Sequence, residues 1–150
     1  MGAVILGGNP TKVTDVTRRV GTTLATSNAS TTSGTTELAV DQVTANVISG
    51  NRYVIRWVFK YTGTSTADQY VVRIREGSGT GGAEVDSVVF IPQYTANNIT
   101  LIMDVDWGPA VSTTSRTWTG TVQRISGTTS TVTPVGGSTF RRRLTVELAD

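Results

Sequence analysis

The sequence predicts an all-β fold, an antiparallel sandwich of about eight to ten short strands, and three observations carry that expectation. Apolar residues recur at every second position in several segments, Thr, Ser, Val and Gly outnumber the good helix formers, and turn-rich loops separate the apolar runs. No stretch sustains the three-to-four-residue apolar repeat of an amphipathic helix. The 150 residues allow one hydrophobic core and are too few for two ordinary domains. Hydrophobic residues make up only 37% of the chain, but they fall in blocks, so a packed core is attainable.

The clearest strand covers residues 52–62. Tyr53, Ile55, Trp57, Phe59 and Tyr61 share one parity and Val54, Arg56, Val58 and Lys60 the other, so the odd face is expected to be core. Residues 69–76 repeat the pattern, with Tyr70, Val72 and Ile74 set against Arg73 and Arg75. The glycine-rich stretch 77–82 has no lysine and leads into a strand-like segment, so it reads as a hairpin loop and not as a phosphate cradle. Residues 84–91 form a strand ended by Pro92. In the next, Ile99, Leu101, Met103, Val105 and Trp107 alternate with Thr100, Ile102, Asp104 and Asp106 until Gly108-Pro109 breaks the run. Residues 116–126 and 142–148 supply two more, and weaker strands are expected at 20–26, 35–40, 43–48 and 128–132. An immunoglobulin-like sandwich, a jelly roll and a small barrel all accommodate such a series.

Composition narrows the function. The chain has no cysteine, which excludes disulfides, thiolate zinc sites and a cysteine nucleophile, and no histidine, which removes the usual general base and the commonest metal ligand. No catalytic, cofactor or metal residues are assigned, and an enzyme is not expected. Asp104 and Asp106 share a strand face, but a solvent-facing strand produces that spacing without a calcium loop. Thirteen basic against eleven acidic residues leave a formal charge of +2, which gives no strong nucleic-acid signature. No apolar window reaches the length of a membrane-spanning helix, and the opening residues lack the basic region of a secretory signal.

Beyond a Thr/Ser-rich opening, three segments stand out: Ser49-Gly50-Asn51-Arg52-Tyr53-Val54-Ile55, Tyr70-Val71-Val72-Arg73-Ile74-Arg75-Glu76-Gly77, and the ending from Phe140 with Leu144-Thr145-Val146-Glu147. In that order they resemble a family of small jelly-roll proteins, related in fold to tumour necrosis factor, among the virion proteins of tailed bacteriophages infecting actinobacteria. The likeness covers most of the chain after about Val20. It implies a jelly-roll-like β-sandwich that associates as a homotrimer, located in the virion after assembly in the bacterial cytoplasm. The implied role is capsid decoration, with the phage major capsid protein as partner, or tail attachment. It implies no cofactor.

Three sets of residues are the candidate contacts. Residues 1–18 have the composition of an extended arm before a domain at 19–150. Val4, Ile5, Leu6 and Pro10 would anchor it on a partner, although a first strand of the domain or an unanchored terminus fits the same residues. Val54, Val58 and Ile102 lie opposite the core parity and are the candidate subunit interface, against the alternative that a second layer covers them. Arg18, Arg19, Arg141, Arg142 and Arg143 are candidate basic contacts, although a strand would turn Arg142 away from its two neighbours. A carbohydrate- or receptor-binding module is the competing class, and it requires Tyr94, Trp107 or Trp118 to present an aromatic face to a ligand.

Overall fold

The computed structural model describes residues 18–32, 34–64, 66–92, 99–128 and 130–149. Nine strands run in chain order: β1 (Arg19–Ala25), β2 (Leu38–Val47), β3 (Tyr53–Gly63), β4 (Gln69–Glu76), β5 (Ala83–Phe90), β6 (Ile99–Trp107), β7 (Thr114–Ser126), β8 (Val132–Val135) and β9 (Arg142–Leu148). Sheet A has the order β1-β9-β3-β6, with β8 joined to the far end of β3, and sheet B has the order β2-β7-β4-β5. Every pairing is antiparallel. The chain crosses between the sheets at nearly every step, which is the jelly-roll arrangement. This order selects the jelly roll from the three architectures that strand counting accommodates.

The period-two pattern is obeyed most strictly in β3, where burial alternates along the whole strand. Tyr53, Ile55, Trp57, Phe59 and Tyr61 fill the space between the sheets with Val47, Tyr70, Val72, Ile74, Trp118, Val122, Leu144 and Val146. Each such side chain contributes about 1.5–3 kcal/mol through the apolar surface it removes from water. Trp57 and Phe59 stack at 4.3 Å, and Trp107 meets Trp118 edge-on at 5.1 Å.

Three strands differ from the sequence expectation by more than one residue at a boundary. The segments expected at 35–40 and 43–48 are one strand, β2, whose register against β7 shifts between Ala39 and Asp41. That irregularity interrupts the alternation and makes one strand read as two. β7 begins at Thr114, where polar residues pair with the end of β2 without an apolar pattern to mark them. The last weak strand lies at Val132–Val135 in place of 128–132.

Two polar clusters cross the interior. Asp41 on β2 and Arg142 on β9 form an ion pair at 3.2 Å with side chains only 2% and 5% exposed, and the Trp57 indole N–H donates to Asp41 Oδ2 at 2.9 Å. Arg142 Nη1 also donates to the carbonyl of Ser27. One carboxylate thus ties β2 of sheet B to β3 and β9 of sheet A. Towards the C-terminal end of β7, beside β4, Arg124 lies 3.7 Å from Asp68 and donates to the Ser130 carbonyl at 2.8 Å, while the Tyr70 and Ser130 hydroxyls meet at 2.6 Å.

Candidate assembly surface

The outward face of sheet A is ordered by strand register. Leu24 on β1 lies opposite Arg143 on β9, Arg143 opposite Val58 on β3, and Val58 opposite Ile102 on β6, so the four side chains form one row across the sheet. Leu24 and Ile102 are 49% and 62% exposed. The next row places Thr22, Thr145, Arg56 and Asp104 side by side, and there Arg56 holds Asp104 in a bidentate pair at 2.7 and 2.9 Å. Asp104 is thereby engaged by a guanidinium, and among the described residues no group of three potential metal ligands converges.

Val54 occupies the third row, between Glu147 and Asp106. It helps line an open notch of about 420 Å³ together with Arg18, Arg52, Arg56, Asp106 and Glu147. Arg19 pairs with Glu147 at 3.4 Å beside it. Val54, Val58 and Ile102 therefore share one outward face, with the two valines half-buried and Ile102 open.

The basic residues separate. Arg141 and Arg143 are exposed, whereas Arg142 is buried against Asp41 and is not available to a partner. This corrects its placement among the surface contacts: strand alternation turns it inward, and Asp41 offsets the desolvation of its charge. The arm residues Val4, Ile5, Leu6 and Pro10 lie outside the described residues, as does Tyr94. Trp57 and Trp118 are fully buried, and the Trp107 N–H is held by Glu76 at 2.9 Å. Trp118 therefore presents no face to a ligand.

Sheet B carries a dense ionic cluster on its outer side. Glu37 accepts two hydrogen bonds from Arg75, both at 2.8 Å, and another from Thr121, while Arg73 bridges Glu84 at 2.8 Å and Gln123 at 2.8 Å. Burial opposes ionisation of Glu37, but the hydrogen bonds from Arg75 and Thr121 and the charges of Arg75 and Arg73 outweigh it and hold its carboxyl below the usual range. A lowered native pKa means that this contribution is complete above the unfolded pKa and is lost as pH falls through the native value. Urea unfolding of the wild type is expected to show a decline in stability as pH falls below about 4.5. Glu37→Gln should lower stability near neutrality by about 1–3 kcal/mol and flatten that decline.

Sequence reasoning missed Leu24, whose role follows only from its register with Arg143, and both buried ion pairs, which join residues far apart in the chain. The alternation of β1 contained a signal for Leu24, but its weak apolar content obscured it.

No protein-family model matches the chain, and no curated protein matches it in sequence. Among solved structures, the VP2 subviral particle of infectious bursal disease virus superposes with a TM-score of 0.50 at 10% identity, over 89% of this chain and 38% of that one. Latent PorU from Porphyromonas gingivalis gives 0.45 at 9% identity, over 87% of this chain and 13% of that one. The Broad bean stain virus structure gives 0.36 at 10% identity, covering 99% and 91% respectively. The chain thus spans well under half the length of the first two. The likeness to VP2 is one of fold, and it agrees with the strand order: this chain is an antiparallel jelly-roll β-sandwich.

Proposed function

We propose that the chain is a structural component of a virion, a capsid decoration protein of a tailed bacteriophage that binds the major capsid protein of the head as a homotrimer. The observation that carries this reading is the outward face of sheet A, where Leu24, Val58 and Ile102 offer apolar surface in register beside the charged groups Arg143, Arg56 and Asp104. An apolar row flanked by charge suits a specific protein contact, with burial supplying affinity and the ion pairs fixing orientation. The jelly-roll fold shared with the VP2 subviral particle supports a role in a protein shell. The segment with Val4, Ile5, Leu6 and Pro10 is the anchor on the head, and exposed Arg141 and Arg143 are its basic contacts. Three copies on one particle would multiply a weak arm contact through effective concentration.

The test is sedimentation of purified protein with phage heads from the same source. Full-length chain should pellet with the heads, and deletion of residues 2–12 should abolish pelleting while leaving the circular dichroism spectrum unchanged. Failure of the full chain to pellet overturns the decoration role. Full binding by the deleted chain overturns the arm as anchor.

A further inference from the structure

Among the described residues, β5 and β6, on the side of the sandwich away from β1 and β2, each leave one backbone edge without a strand partner. Along its β1/β2 side the two sheets close on each other: the Thr23 hydroxyl bonds the carbonyl of Gln42, and Gly21 packs so near Ala45 that a Cβ there would lie 2.8 Å from the alanine methyl. On the opposite side β6 carries Asp104 and Asp106 on its outward face. β5 pairs with β4 alone, so its other backbone edge has no strand partner among the described residues.

The two halves of β5 differ. Its first half contains Glu84 and Asp86 and is bulged at Val85, which has no counterpart between Ile74 and Arg75 of β4, and both features discourage strand addition. Its second half continues as Ser87-Val88-Val89-Phe90-Ile91, without charge, up to Pro92. Val88, Val89 and Ile91 are 43%, 56% and 40% exposed. Open backbone donors and acceptors beside apolar side chains form a template for another strand.

We infer that this edge pairs with β5 of a second copy, antiparallel about a two-fold axis at Val89, merging two four-stranded sheets into one of eight. Charge placement selects this register. An axis near residues 84–86 would set Glu84 or Asp86 opposite like charges of the second copy, which is destabilising. An axis at Val89 sets each Asp86 opposite Pro92 and each Val88 opposite Phe90. The side chains also continue across the junction. Val71 lies opposite Val89 within the chain, so the outer face gains an unbroken row of valines from both copies. On the inner face Val72 lies opposite Val88 and Tyr70 opposite Phe90, so the core extends across the junction. A self-complementary patch of this kind closes as a pair. This contact is separate from the sheet A face and from binding to heads, and it could join two trimers as readily as two single chains.

The chain has no cysteine, so one introduced thiol reports one contact. Directly opposed residues in antiparallel strands have Cα atoms about 4.5–5.5 Å apart, within disulfide range. Val89→Cys in the full chain should oxidise to a two-chain species. Val111→Cys, at a site 85% exposed in the loop before β7, should remain a single chain. Val89→Lys should halve the mass measured by light scattering. Equal cross-linking at both sites, no cross-linking at position 89, or a Val89→Lys mass equal to the wild type would each overturn the edge contact. Should Val89→Lys fail to fold, the cysteine comparison still decides.

Discussion

Asp41→Ala is expected to lower the unfolding free energy by about 3–5 kcal/mol, the cost of leaving a buried guanidinium without its carboxylate. Asp41 accepts from Arg142 and from the Trp57 indole, so its loss strands two buried donors on two strands of the other sheet. Against a typical total of about 5–15 kcal/mol, that loss is enough to unfold a marginal domain on moderate warming. The effect should reside in the uncompensated charge. The double variant Asp41→Leu with Arg142→Met is therefore expected to recover much of the loss, because an apolar pair of similar volume avoids the desolvation of both ions. Urea denaturation of the single and double variants measures the coupling directly. Additive losses would show that the pair acts only through packing.

Gly120→Ala is expected to destabilise by about 1–3 kcal/mol, and Gly120→Val by more. Gly120 sits mid-strand in β7, opposite Asp41 on one side and Ile74 on the other, so the backbone is held from both directions. A Cβ at this position would lie 2.6 Å from Trp57 Cε2 and 2.7 Å from Cδ2. The indole cannot retreat, because it is fully buried, stacked on Phe59 and hydrogen-bonded to Asp41. Trp57→Leu in the Gly120→Ala background should cost less than Trp57→Leu in the wild type, since it vacates the space the new methyl needs. Thermal unfolding of the four proteins checks this. Equal costs in both backgrounds would remove the steric explanation.

The legible part of the fold is the part written in nearest-neighbour alternation. β3 could be read residue by residue because each odd position from Tyr53 to Tyr61 is apolar and each is buried. β2 was harder to read because the irregularity near Val40 shifts its parity, and β8 because four residues, one of them Pro134, carry too little pattern. Sheet order was not legible: β1 beside β9 and β3 beside β6 are long-range choices fixed by packing, and only the resemblance to jelly-roll proteins pointed towards them. The candidate surface divides in the same way. Val54, Val58 and Ile102 were visible as an off-core parity, whereas Leu24 joins them only through pairing across β9. Arg142 shows the limit most plainly. In sequence it is the middle of a basic triplet, and in the fold it is the buried partner of an aspartate from the other sheet. Nothing local in the chain identifies Asp41 as that partner.

The measurement that tests the account most directly is the solution mass of the purified chain by multi-angle light scattering. The homotrimer proposed above would have the mass of three chains of 15.9 kDa, or of six where β5 edges also pair. Leu24→Glu combined with Ile102→Glu should reduce the three-chain unit to its parts. A wild-type protein that remains a 15.9 kDa monomer at high concentration would contradict it.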